Sequence, residues 1–427
     1  VTHPGSQAAV ASHHDFDVAI VGGGMVGASL ALALGGTGLR VVLIESVTPG
    51  AGNQPSFDDR TTALGNASRR IFDALGVWPL MAAQASPIRT IHVSDAGRFG
   101  FARLVASEQG IDAFGYVVTN RVIGAALWTK LEEAKGITLR APARTESVDI
   151  GAEGVRIALV DDRTGEKQIV NARLVVAADG AHSSVRTAAG IEAMVEDYDQ
   201  VAMVANLATD PKHDGTAYER FTAAGPLALL PLHDGSYGVV WSAQPAEAAR
   251  LLALDDEAFL KELQATFGWR AGRFTRVGRR ASYPLKLTRA TTTVATRSVL
   301  IGNAAQALHP VAGQGFNLGL RDAAMLAEVL ASTKRNERAD VTAIADPGAA
   351  DLLARFEAWR SGDRGGVIRF TDGLIKLFGD ARPGMGLARN VGLLLFDLTP
   401  PAKSALARVS AGFAGPSPRL ARGLSIR

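Results

Sequence analysis

Between Val18 and Leu39 the chain runs for 22 residues without a charge, and seven of them are glycine. As a single helix that stretch would be long enough to span a bilayer. The glycines argue against it. Each one in a helix interior costs up to about 1 kcal/mol relative to alanine, and Gly22, Gly23 and Gly24 are consecutive. Two elements joined by a turn fit better. Residues 16–21 have the unbroken apolar character of a strand buried on both faces. Residues 25–34 are rich in Ala and Leu and suit a helix, and residues 40–45 (RVVLIE) read as a second buried strand. Strand, glycine turn, helix and strand make a βαβ unit.

Gly22, Gly24 and Gly27 form GxGxxG at the turn of this unit, and Glu45 ends the second strand. Glycines there permit a tight turn, close approach of the backbone to a pyrophosphate and close packing of helix on strand. The helix N-terminus offers N–H groups to the phosphates. Glu45 can accept from a ribose 2′-OH and would repel a 2′-phosphate, so the expected ligand is the ADP part of FAD or NAD, not NADP. A ligand-free glycine turn is the plain alternative, disfavoured because strand, helix and acid are in register.

Further along, residues 121–135 read as an amphipathic helix. Short strands are expected at 136–140, 144–150, 155–160 and 167–177, as an antiparallel meander inserted into a dinucleotide fold. The last of them runs through LVVAA into Asp179–Gly180, placing a carboxylate at the carboxyl end of the sheet, where such folds bind ligands. Asp179 could alternatively cap the helix that follows. Residues 198–287 alternate as a second, largely β domain with one helix candidate at 255–267, and no second GxGxxG occurs in the chain. A strand at 298–301 then leads into Gly302–Asn303 and on to His309, Pro310, Gly313, Gln314, Gly315 and Asn317, with a helix to about residue 330. Glycines at that helix start admit a ligand to the backbone, and the helix N-terminus can stabilise negative charge.

A net charge of +3 is too small to indicate a nucleic-acid partner, despite a pI near 9.2. Cysteine is absent, which excludes disulfides, iron–sulfur clusters and dithiol redox chemistry, so electrons must pass through a bound cofactor. No histidine pair has the spacing of metal ligands on a helix, and no metal is expected. Residues 1–15 read as a flexible leader without the apolar region of a signal peptide, pointing to the cytoplasm. The expected architecture is α/β. It comprises a Rossmann-like FAD-binding domain (16–75, 115–197 and 288–345), a β-rich substrate domain (76–114 and 198–287) and a helical C-terminal region (346–427). From 381 to 427 there are seven basic residues against the single acid Asp397. This cationic, partly apolar end suits either an anionic membrane surface, at the inner face of which the protein would sit, or a subunit interface in a homo-oligomer or biosynthetic complex.

Three ordered motifs carry a resemblance: Gly22 to Gly27, Asp179–Gly180 followed by Ser183 to Arg186, and Gly302–Asn303 leading into Pro310, Gly313, Gln314, Gly315 and Asn317. Together they resemble the flavoprotein aromatic hydroxylases of the p-hydroxybenzoate hydroxylase type, over roughly residues 16–360. FDDRTTAL (57–64), GPLALLPL (225–232) and AGQGFNLGLRD (312–322) are similar to signatures of the ubiquinone-biosynthesis hydroxylases. Asn303 stands where most of that family has Asp, a variant that resembles the branch acting on 2-polyprenyl-6-methoxyphenol. The amide can still hydrogen-bond a ribityl hydroxyl. The C-terminal runs DGLIKLF (372–378) and RNVGLLLFDLTPPAKSALAR (389–408) look like the same branch.

The resemblance implies FAD as cofactor, NAD(P)H as electron donor and O2 as co-substrate. A flavin C4a-hydroperoxide would deliver a hydroxyl para to the phenol oxygen of a polyprenyl phenol. It places Arg60 and Arg121 near FAD, and the loop from Pro310 through Gly313, Gln314 and Gly315 beside the reacting ring. His309 is a candidate acid or base, with packing as its plainer role. Three other readings are open: a monooxygenase of a small soluble aromatic acid, a flavin halogenase, whose WxWxIP motif is missing, and a non-catalytic FAD-bearing scaffold.

Overall fold

The computed structural model describes residues 14–47, 58–308, 313–332, 346–379, 382, 384–412 and 417–426. Its first sheet sets five parallel strands side by side: Ser298–Leu300, Lys167–Ala177, Phe16–Val21, Val41–Ile44 and Ile137–Arg140. Val18 lies opposite Val41 and Leu174, and Ile20 opposite Leu43 and Val176. These residues pack in one core with the helices Met25–Leu34, Asn120–Glu133 and Gln314–Ala331. Their neighbours Ala19, Val21, Val42, Ile44, Val175 and Ala177 point the other way into a second core, shared with the antiparallel strands Ala143–Ile150 and Val155–Asp161. With both faces dry, the strands read as unbroken apolar runs.

A nine-stranded sheet forms the second layer, its long strands Ala193–Asp210 and Ala281–Ala290 pairing antiparallel. Met203, Leu227, Leu229 and Trp241 face two helices, while Ala202, Val204, Ala228 and Leu230 alternate with them and face an internal cavity. One of those helices, Asp256–Phe267, is the expected one, capped by the Asp255 side chain accepting from the Ala258 N–H. The other, Pro245–Ala253, was not anticipated; it opens on proline at its first position, where the missing N–H costs nothing. Within residues 76–114 the chain divides. Thr90–Asp95 and Phe101–Val105 join the nine-stranded sheet, whereas Ser86–Ile88 pairs with Gly115–Thr119 in a small third sheet.

Three helices follow: Ala350–Gly379, Met385–Asp397 and Pro400–Ser410. The first begins in the dinucleotide-type core, where Leu353 and Phe356 are buried, and ends at the cavity with Leu374 and Phe378. Among the described residues no helix is long and apolar enough to cross a membrane.

Candidate active site

One continuous cavity of about 1660 Å³ opens at the carboxyl ends of the parallel strands and runs to the C-terminal helices. Pockets for single drug-sized ligands measure about 300–1,000 Å³. The volume therefore fits a large cofactor and a second molecule end to end, and the walls change character along it.

The first glycine motif forms the polar end. Gly22 has φ +104°, and a Cβ there would collide with the Ala178–Asp179 peptide; a Cβ on Gly27 would overlap the Gly22 carbonyl. Both positions thus need glycine to let helix, turn and neighbouring strand close up. Glu45 is buried and accepts from the Gly23 N–H at 2.6 Å, the Val47 N–H at 2.8 Å and the Ser46 hydroxyl at 3.3 Å. A carboxylate has about four acceptor positions, so one is left for a hydroxyl entering the cavity.

Asp179 sits beside the start of the next helix, whose N-cap is Ser183. Its Oδ2 accepts from the Ser184 N–H at 2.8 Å, the Ser184 hydroxyl at 3.1 Å and the Val185 N–H at 3.4 Å, holding the start of helix Ser184–Ala188. Its Oδ1 is buried on the cavity wall with no hydrogen-bond partner among the described residues. A buried, unsatisfied carboxylate oxygen needs a donor, and a ligand hydroxyl in the cavity would supply one.

The third motif is held from behind. Gly302, at φ +57°, donates its N–H to Asp322 Oδ2 at 3.1 Å, and Gln306 donates to the same oxygen at 2.8 Å. Gly319 lets the Gln314–Ala331 helix lie against this turn, since a Cβ there would sit 3.0 Å from the Gly302 Cα. Asn303 projects into the cavity with no side-chain hydrogen bond among the described residues. Behind Asp322 lies fully buried Arg360, whose Nε is 2.6 Å from Asp322 Oδ1 and which also pairs with Asp363; Asp363 in turn holds Arg321 at 3.0 Å. Burial would lower the Arg360 pKa, yet the two carboxylates outweigh it and the net direction is upward. Arg321 and Asp322 end the run AGQGFNLGLRD, but nothing in the sequence tied them to Arg360 and Asp363 some forty residues on.

Gly313, at φ +60°, caps the Gln314–Ala331 helix, whose N-terminus faces the cavity, and a Cβ at Gly315 would meet no atom of the described residues within 4 Å. Asn317 is also on this wall, but its side chain is saturated by protein. Its oxygen accepts from the Gly65 N–H and the Ser68 hydroxyl, and its amide donates to the Ala63 and Gly313 carbonyls. It therefore positions the loop and has no polar atom to spare for a ligand. Gln314 is buried beside it. His309 and Pro310 lie outside the described residues.

Arg60 lines the cavity, bonded to Asp58 at 2.6 Å and lying over the Tyr283 ring at 4.7 Å. Arg121 is not itself among the described lining residues: it is 65% exposed near the start of helix Asn120–Glu133 and pairs at 3.1 Å with Asp59, which lines the cavity. Its neighbour Asn120, which sequence reasoning passed over, is buried on the wall, accepting from the Thr62 hydroxyl at 2.7 Å. The only sequence signal was a polar residue between an apolar strand and an apolar helix.

The far end is an apolar chamber. Ile91, Leu104 and Val204 come from the nine-stranded sheet and Phe114 from just before strand Gly115–Thr119, while Leu374, Phe378, Leu393 and Phe396 come from the C-terminal helices. Phe378 stacks on Phe221 with centroids 3.6 Å apart and planes 12° from parallel. The C-terminal region thus closes this chamber, a role its composition did not reveal.

The polar end has what FAD requires: a glycine turn, an acid for a ribose, an orphaned Asp179 oxygen, an open Asn303 amide and a helix N-terminus over open glycine backbone. The family described as FAD binding domain matches residues 15–343. The chain belongs to that family. It is 39% identical to a ubiquinone hydroxylase of Rhodospirillum rubrum named UbiL, over 96% of this chain and 93% of that protein. It is 32% identical to the 3-demethoxyubiquinol 3-hydroxylase of Escherichia coli, over 88% and 94% respectively. Among solved structures, the p-nitrophenol 4-monooxygenase of Pseudomonas putida superposes with a TM-score of 0.77 at 20% identity, covering 94% of this chain and 98% of that one. The fold is therefore that of the p-hydroxybenzoate hydroxylase-like flavoproteins. The chain is an FAD-dependent monooxygenase in the branch of the ubiquinone-biosynthesis hydroxylases.

Proposed function

We propose that the protein hydroxylates 2-polyprenyl-6-methoxyphenol para to its hydroxyl, using O2 and electrons from NAD(P)H, and that it works at the membrane periphery where such a substrate resides. The observation that carries this reading is the continuity of a flavin-type polar site with a large apolar chamber closed by helices. FAD, when bound, supplies oxygen activation; NAD(P)H supplies the electrons. The chain's own residues do the rest. Gly22, Glu45, Asp179 and Asn303 hold the cofactor's polar groups, and the Gln314–Ala331 helix N-terminus stabilises negative charge at the ring end. Leu374, Phe378, Leu393 and Phe396 exclude water and give a prenyl chain an apolar lodging, leaving the phenol ring at the junction of the two regions. The electron-rich carbon para to the phenol oxygen is the one the substrate itself activates.

The test is incubation of purified protein with FAD, NADH or NADPH, O2 and a short-chain 2-polyprenyl-6-methoxyphenol. Substrate-stimulated NAD(P)H oxidation with formation of the corresponding hydroquinone is expected. Peroxide alone, without hydroxylated product, would reject the named substrate, and a product hydroxylated elsewhere would reject the para assignment.

A further inference from the structure

Outside the active-site cavity, a second hollow of about 420 Å³ lies beside the start of the Met385–Asp397 helix, lined by Arg98, Arg220, Arg270, Phe99, Trp269 and Leu387 among others. Its charge is unbalanced. Arg220 donates Nε to the Thr266 carbonyl and Nη1 to the Ser94 hydroxyl; Arg270 donates Nη1 to His92 Nε2 at 2.6 Å. Neither makes an ion pair among the described residues, and the nearby carboxylate, Asp95, is engaged by Asn390, Arg389 and Arg98. Because an arginine can only donate, His92 Nε2 must accept, which makes His92 neutral with its proton on Nδ1. Burial and Arg270 together hold the imidazole pKa down to about 4, so it adds no compensating charge at neutral pH. Three guanidinium groups therefore converge on one hollow with N–H donors of Arg220 and Arg270 to spare, the geometry that binds a phosphate.

The rim identifies what carries the phosphate. Trp269 and Phe99 are 71% and 59% exposed. From Leu387, which is shared with the hollow, an exposed stripe continues along the helix through Val391 and Leu395 to Leu398, at spacings of four, four and three residues. A soluble phosphate would leave that stripe unexplained. Aromatic residues at the rim, cations in the hollow and an apolar stripe beside it match a lipid headgroup with its acyl chains. We propose that this hollow is a binding site for the phosphate of an anionic phospholipid, seating the Met385–Asp397 helix on the bilayer surface. The inference rests on the membrane-peripheral part of the proposed function and gives it a residue-level site.

The test is co-sedimentation of the FAD-loaded protein with phosphatidylcholine vesicles, with and without phosphatidylglycerol. The site variant is R98Q/R270Q, chosen because both side chains are largely exposed, and the charge-matched control is R156Q/R276Q, on exposed strand positions elsewhere. Retained flavin absorbance reports folding in each. Binding only to phosphatidylglycerol vesicles, weakened roughly thirtyfold in R98Q/R270Q and not in the control, is the expected result. Equal loss in both pairs would overturn the site while leaving membrane association standing. No vesicle binding by the unmodified protein would overturn the proposal, and saturable protection by inorganic phosphate alone would then reassign the hollow to a soluble anion. Hydroxylation of detergent-dispersed substrate, measured separately, reports on the catalytic reading independently of any vesicle result.

Discussion

Arg360 is the residue whose removal most sharply tests how the flavin turn is supported. It is fully buried, paired with Asp322 and Asp363, and donates to the Leu318 carbonyl at 3.3 Å. Arg360→Met keeps much of the volume but leaves the buried Asp322 carboxylate without its ion-pair partner, while Asp363 keeps only Arg321. Breaking a buried pair from one side costs about 3–5 kcal/mol, a large share of the roughly 5–15 kcal/mol that stabilises a folded domain. Restoring charge balance should recover part of it. Asp322→Asn in the R360M background removes the stranded charge, and its amide oxygen can still accept from the Gly302 N–H and the Gln306 amide. Asp322→Leu in the same background takes that acceptor away and leaves two buried donors unpaired, at about 1–3 kcal/mol each. The expected order of stability is therefore wild type, R360M/D322N, then both R360M and R360M/D322L, read by urea denaturation of the FAD-free protein. FAD retention should be poorest in R360M/D322L, where the turn carrying Asn303 loses its anchor. An R360M unfolding free energy within about 1 kcal/mol of wild type, or no recovery with asparagine, would refute the argument.

Two glycines should separate packing from ligand approach: Gly27→Ala is expected to destabilise the FAD-free protein because its Cβ meets the Gly22 carbonyl, whereas Gly315→Ala should leave that stability unchanged and weaken FAD binding, as fluorescence titration would show. Asp179→Ala should lower FAD affinity by about tenfold, the worth of a hydrogen bond to a charged group, and should also loosen the helix Ser184–Ala188. Phe378→Ala opens the chamber beside Phe221 and should raise KM for long-chain substrates more than for short ones in steady-state assays. Burial pushes the Asp363 carboxyl upward, but Arg321 and Arg360 outweigh it, so its folded pKa lies below the ordinary 3.8. Its stabilisation is present above that value and lost as pH falls through the lower folded one; D363N should therefore flatten the acid limb of the stability profile below about pH 3.8.

What could be read from the sequence was local. The strand Phe16–Val21 and the helix Met25–Leu34 fall where the glycine turn and the apolar runs put them, because buried parallel strands and glycine spacing leave few options. Glu45 and Asp179 were recognisable because each ends a buried strand at the ligand side of the sheet. The Asp322–Arg360–Asp363–Arg321 network was not, because its members come from two helices whose packing no period or spacing encodes. Asn317 was legible as part of a motif but not in its role, since only the folded chain brings Ala63, Gly65 and Ser68 to its amide. Helix Pro245–Ala253 was missed in a stretch dominated by alternating strands, although Pro245 was a usable start signal.

The Met385–Asp397 helix shows why composition alone could not decide between a membrane surface and a subunit interface for the C-terminal region. Leu393 and Phe396 face the chamber, while Leu387, Val391 and Leu395 face outward. A helix apolar all round is normally buried all round, and this one is not. Fully burying a leucine-sized side chain contributes about 1.5–3 kcal/mol, so the partly exposed stripe ending at Leu398 offers several kcal/mol on transfer to lipid. That is similar to a single acyl anchor, which holds a protein to a bilayer only reversibly and needs a second signal. The guanidinium hollow beside Leu387 is placed to provide it. A two-signal contact of this kind would form on anionic bilayers and release elsewhere, and it would set the chamber wall against the phase in which a polyprenyl phenol is dissolved.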